Sequence, residues 1–106
     1  MNQTLIEVST MVRAFVVKKY GDPPFGACLE ASKMIARLLR RRGIDAKIVH
    51  GNFKGAEDWP HWWVRVGDLL IDVTADQFTE EETESIVIGK ASELTYWVTY
   101  KDRAFA

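Results

Sequence analysis

Residues 61–74 read His61-Trp62-Trp63-Val64-Arg65-Val66-Gly67-Asp68-Leu69-Leu70-Ile71-Asp72-Val73-Thr74. Two apolar, β-favouring runs flank Gly67-Asp68, and glycine at the first central position of a two-residue loop supplies the positive φ of a type II′ turn. The stretch therefore predicts an antiparallel hairpin of strands 61–66 and 69–74. With that loop Val66 pairs with Leu69, Asp72 falls opposite Trp63, and Thr74 falls opposite His61. Side chains alternate with period two, so His61 and Asp72 become diagonal neighbours on one face, within mutual reach. Any even loop length keeps this relation, and a one-residue bulge destroys it. Asp72 lies between Ile71 and Val73 in an otherwise apolar strand, where an unpartnered carboxylate costs several kcal/mol. The residues thus call for a partner to Asp72 and offer His61.

Upstream of the hairpin the period is helical. Leu5, Val8, Val12, Phe15 and Val16 predict a helix over 4–19, with Thr4 and Glu7 as a capping box. Tyr20-Gly21-Asp22-Pro23-Pro24-Phe25-Gly26 interrupts it. A second helix is predicted from Ala27 to Arg42. Its apolar stripe is Ala31, Met34, Ile35, Leu38 and Leu39, with Lys33, Arg37, Arg40 and Arg41 mostly on the other face. Gly43 is its C-terminal cap, and the last-turn arginines complement the helix dipole. Residues 44–50 then alternate as a strand, with Ala46 and Ile48 facing one way and Lys47 and Val49 the other. Residues 51–60 read as a polar loop and 80–84 as an exposed acidic stretch. Residues 86–88 and 95–100 are further short strands. The predicted fold class is α+β: two N-terminal helices, then a small antiparallel sheet packed on the second helix.

The chain has 106 residues, 47% of them hydrophobic, which suits one domain over 1–106 with a single core. Lys and Arg number 14 against 15 Asp and Glu, a net charge of −1. That balance argues against broad electrostatic binding to nucleic acid or an acidic membrane, and Arg40-Arg41-Arg42 is too short to change it. No apolar run is long enough to span a bilayer, and Met1-Asn2-Gln3-Thr4 has no secretory pattern, so the expected compartment is the cytoplasm. Cys28 is the single cysteine, consistent with a reducing compartment. With two histidines, His50 and His61, and neither HExxH nor CxxC, no metal site is expected. The seven scattered glycines form no phosphate-cradling motif, so no cofactor is expected.

Cys28 opens the second predicted helix, where unpaired N–H groups and the positive end of the dipole favour a thiolate. The same N–H groups can stabilise an oxyanion formed when that thiolate attacks a carbonyl. Alone, Cys28 reads first as a small buried hydrophobe. With His61 and Asp72 it completes a chemistry: Asp72 orients the imidazole through one ring nitrogen while the other takes the thiol proton.

In this order the residues resemble the transglutaminase-like branch of the papain-like superfamily. The matching pieces are Gly26-Ala27-Cys28, then Gly43-Ile44-Asp45-Ala46-Lys47-Ile48-Val49-His50-Gly51, His61-Trp62-Trp63-Val64-Arg65-Val66 and Ile71-Asp72-Val73-Thr74, spanning about half the chain. The resemblance implies a minimal transglutaminase-like core with a Cys28–His61–Asp72 triad: Cys28 as nucleophile, His61 as general base and acid, Asp72 as orienter. Val73 stands where relatives often have proline, and the chain is shorter than most of them. Gln77 and the loop 20–25 are candidates for a second oxyanion donor, and Trp62 and Trp63 for substrate contact. His50 reads as structural. The expected activity is acyl transfer through a thioester on a peptide, isopeptide or Gln amide bond, with hydrolysis or deamidation favoured over amine transfer. The alternatives are a non-catalytic protein-binding module on the same scaffold and a regulatory thiol.

Overall fold

The computed structural model describes residues 2–53, 58–78, 84–94 and 97–105. The acidic run Glu80-Glu81-Glu82 lies outside the described residues. Helix α1 (Asn2–Tyr20) and helix α2 (Cys28–Arg41) precede strands β1 (Lys47–Phe53), β2 (Pro60–Val66), β3 (Leu69–Asp72), β4 (Val87–Lys90) and β5 (Trp97–Phe105). The two last strands are those expected near 86–88 and 95–100; Thr95 and Tyr96 lie outside the described residues. The strands form one antiparallel sheet in the order β4-β3-β2-β1-β5. The α+β class and the packing of the sheet on α2 are as the sequence predicts. Among the described residues, no helix is long and apolar enough to cross a membrane.

Helix α1 starts two residues earlier than predicted. Thr4 and Glu7 therefore lie inside it, and Glu7 accepts a hydrogen bond from Gln3 at 3.3 Å instead of closing a capping box. Its buried face is Leu5, Val8, Ser9, Val12, Arg13 and Val16. Phe15, expected in that stripe, is 44% exposed. At about 100° per residue it sits roughly a quarter turn from the centre of a face that Arg13 has drawn to the other side.

Helix α2 buries Cys28, Ala31, Ser32, Ile35, Ala36 and Leu39. It closes in a Schellman motif: Gly43 N–H donates to Arg40 O and Ile44 N–H to Leu39 O, both at 3.0 Å, with Gly43 at φ 76°. A residue with a Cβ is strained at that φ, which is why glycine follows the helix. This turn also displaces the next strand. Ile44 is held by the cap, and Arg40 donates to Ala46 O through Nε at 3.0 Å and Nη2 at 2.8 Å, so β1 begins at Lys47 rather than 44. The strand runs on to Phe53, into the expected loop, because two neighbours hold it: Asn52 pairs with Pro60 on one side and Val98 on the other.

The β2–β3 register is the predicted one, with Val66 opposite Leu69, Arg65 opposite Leu70 and Val64 opposite Ile71, and Gly67 at φ 60°. Alternation sends Ala46, Ile48, Val64, Val66, Ile71 and Val73 into the core beneath the helices. On the opposite face Val49, Trp63 and Leu70 form a second apolar cluster with Leu94 and Trp97 against it. Strand β3 ends at Asp72, two residues short of the prediction. Its Oδ1 accepts from Thr74 N at 2.8 Å and Thr74 Oγ1 at 3.2 Å, a side-chain turn that withdraws Thr74 from the ladder. A 3-10 turn, Ala75–Phe78, follows.

Candidate active site

Cys28 is the first residue of α2, and Ala27 before it supplies no side-chain cap. Most helices satisfy a first-turn N–H with Ser, Thr, Asp or Asn. His61 heads β2 with none of its surface exposed, and Asp72 ends β3 at 2% exposure. His61 Nε2 lies 2.5 Å from Asp72 Oδ2, the diagonal contact the hairpin parity predicts.

Both carboxylate oxygens of Asp72 are engaged. Oδ1 takes the two bonds from Thr74, and Oδ2 also accepts from Trp97 Nε1 at 2.7 Å. Burial would push the Asp72 carboxyl up, but the His61 charge and hydrogen bond, with Trp97 and the Thr74 N–H, hold it below its ordinary value. An ionised carboxylate only accepts, so the proton on the shared bond belongs to His61 Nε2. Burial likewise opposes a charged imidazole, yet the Asp72 charge and hydrogen bond, followed by smaller contributions from Cys28, push His61 up to about 9. The balance favours the charged imidazole at neutral pH, with Asp72 as its main partner.

Gln77 enters from the 3-10 turn. Its Oε1 accepts from Gly26 N–H at 2.9 Å, two residues before Cys28. Only the carbonyl end of an amide can accept from a backbone N–H, so this bond fixes which way the amide lies. Its Nε2 is buried and without a hydrogen-bond partner among the described residues. That is an oriented N–H₂ next to the start of the cysteine helix.

Arg13 ties these pieces together. It reaches from α1 to both carboxylate oxygens of Asp76, at 2.7 and 2.8 Å, to Val73 O at 2.9 Å and to Asp22 Oδ1 at 3.0 Å. One guanidinium thereby links the loop leading to Cys28 with the segment carrying Asp72 and Gln77. Sequence reasoning missed it; the available signal was a cation one residue after Val12 on the inward arc of α1. Trp97, missed as a further donor to Asp72, lies too far along the chain for any local pattern to reveal.

The structure thus brings Cys28, His61, Asp72 and Gln77 to one place. Trp62 is half-buried on the helix side, stacked on His50 with centroids 3.9 Å apart and planes 8° apart, a cross-strand pair. Trp63 is 1% exposed in the second cluster, its ring 5.6 Å from that of His61.

A cysteine at the start of a core helix, facing a two-strand His–Asp pair on an antiparallel sheet, defines an enzyme-like fold of the cysteine-dependent class. The family model of the transglutaminase-like superfamily matches residues 3–83, and the chain belongs to that superfamily. Comparison with curated proteins gave no match, and neither did comparison with solved structures.

Proposed function

We propose that this protein is a cysteine-dependent acyl-transfer enzyme that works through a thioester on a peptide, isopeptide or Gln amide bond. The observation that carries this reading is the buried His61, bound through Nε2 to Asp72 and raised to about 9 by Asp72 and Cys28. The Cys28 sulfur attacks the carbonyl carbon, and the electron pair of the C=O moves onto oxygen. Cys28 N–H and Gln77 Nε2 donate to that oxyanion. Its collapse breaks the C–N bond, and the His61 proton leaves with the amine or ammonia. Water then attacks the thioester, His61 takes the water proton, and the acid departs as the sulfur is released. The proposed outcome is hydrolysis or deamidation rather than amine transfer.

The test is alkylation of Cys28 by iodoacetamide across pH, in wild type and in His61→Gln, with folding of both confirmed by circular dichroism. A free thiol is only about 1% thiolate at pH 6.5. Wild type is expected to react at pH 6.5 at least about tenfold faster than His61→Gln, the thiolate being held by the imidazolium. Equal rates in two folded proteins would refute the proposal and leave the scaffold as a binding module.

A further inference from the structure

Four cations stand on one side of α2, where they border a groove. Lys33, Arg37, Arg40 and Arg41 line a groove of about 690 Å³, together with Leu29 and Trp62. Leu29 follows Cys28 directly on α2, so it marks the end of the groove nearest the start of that helix. Arg40 and Arg41 mark the far end. From residue 29 to residue 41 a helix rises about 18 Å, the length of five or six extended residues at about 3.3 Å each.

The charge in this groove is not neutralised from within. Among the described residues the salt bridges engage Arg13, Lys19 and His61, and none engages Lys33, Arg37, Arg40 or Arg41. Arg40 spends its donors on the Ala46 carbonyl. The chain as a whole carries a net charge of −1, so this concentration of positive charge is local and not the by-product of a basic protein. Trp62 is held flat by its stack on His50, and an aromatic wall fixed in advance costs little entropy on binding.

We infer that the groove along α2 binds an acidic peptide segment of the substrate, its Asp and Glu side chains facing Lys33, Arg37 and Arg41, with an apolar residue against Leu29 and Trp62 at the end where Cys28 meets the carbonyl. This inference names the substrate class of the proposed acyl-transfer site and rests on that reading for its chemistry, while the binding step does not.

The experiment uses the full chain carrying Cys28→Ala, which removes the sulfur and leaves the groove. Fluorescein-labelled octapeptides with one central Leu followed by four Glu, four Gln or four Lys are titrated by fluorescence anisotropy. The Glu peptide is expected to bind at least about tenfold tighter than the Gln peptide, since several modest ion pairs add in a shared groove. A Lys33→Glu/Arg37→Glu double variant, altered only at exposed positions, is expected to lose that preference and favour the Lys peptide. Equal binding of the three peptides, or an unchanged preference in the double variant, overturns the inference. So does tight binding of a single-stranded oligonucleotide where the Glu peptide does not bind, which would assign the groove to another polyanion. These outcomes are independent of Cys28 alkylation: an inert sulfur with Glu-selective binding sinks the acyl-transfer reading alone, and a reactive sulfur without selectivity sinks this one alone.

Discussion

With Cys28 replaced by alanine, so that no thiol titrates, raising the pH from 6.5 to 8.5 should weaken this protein through a single buried group. His61 is pushed up from 6.5 to about 9, so the folded protein holds its proton where the unfolded chain releases it. The stabilisation is fully present below the unfolded value and is lost as pH rises through the folded one. A rise of that size is worth about 3 kcal/mol, at about 1.4 kcal/mol per pH unit. Integrated over the interval from pH 6.5 to 8.5, about 2 kcal/mol of it disappears. Because His61 is wholly buried, solvent screening does not reduce the figure. At the acid end the sign reverses: Asp72, held below its ordinary value, contributes above that value and stops contributing as pH falls through the lowered one. The assay is urea unfolding followed by tryptophan fluorescence at half-unit pH steps, on Cys28→Ala and Cys28→Ala/His61→Gln, because in wild type a thiolate formed at Cys28 on folding releases a proton and offsets the one His61 takes up. Cys28→Ala should lose about 1–2 kcal/mol more than the double variant between pH 6.5 and 8.5, Asp72 being the larger cause of the His61 shift. If the two proteins change in parallel across that interval, the reasoning from Asp72 to a charged His61 fails.

Substitutions at Trp97 and Arg13 test the same geometry. Trp97→Phe keeps an aromatic ring, smaller than the indole, and deletes the N–H donor to Asp72 Oδ2. It should cost about 1–2 kcal/mol and move the acid-unfolding midpoint to higher pH, because one of the interactions lowering Asp72 is gone. Arg13→Met keeps the apolar stem but leaves Asp76 and the Val73 carbonyl without their partner, at a cost of about 2–4 kcal/mol by urea unfolding. Arg13→Lys should recover less than half of that, since an ammonium cannot present the two-pronged fork that Asp76 receives.

The elements that local chemistry specifies are legible in the residues themselves. Helix α2 has a clean stripe and a glycine stop, and the hairpin has a glycine at the one place where a two-residue turn requires it. From that turn, period-two alternation alone brings His61 and Asp72 to one face. Two of the departures share a cause, side chains capturing backbone groups: Asp72 takes the Thr74 N–H and shortens β3, and Arg40 takes the Ala46 carbonyl and delays β1. Each is a competition between hydrogen bonds of similar strength, which propensity and pattern do not resolve.

Three features belong to the tertiary structure alone. Trp97 comes to Asp72 across 25 positions of chain, Arg13 to Asp76 across 63, and Gln77 to Gly26 across 51. Nothing local selects such partners; they are chosen by which strand edges pair and which helix face is buried. The groove along α2 belongs with them. Composition averages its four cations against acids elsewhere and reports a nearly neutral chain, because net charge carries no positions. Residue order determined that a cysteine, a histidine and a carboxylate stand at the ends of three elements. Packing decided that those ends meet, since close contact between a helix terminus and two strand ends depends on the burial of everything behind them.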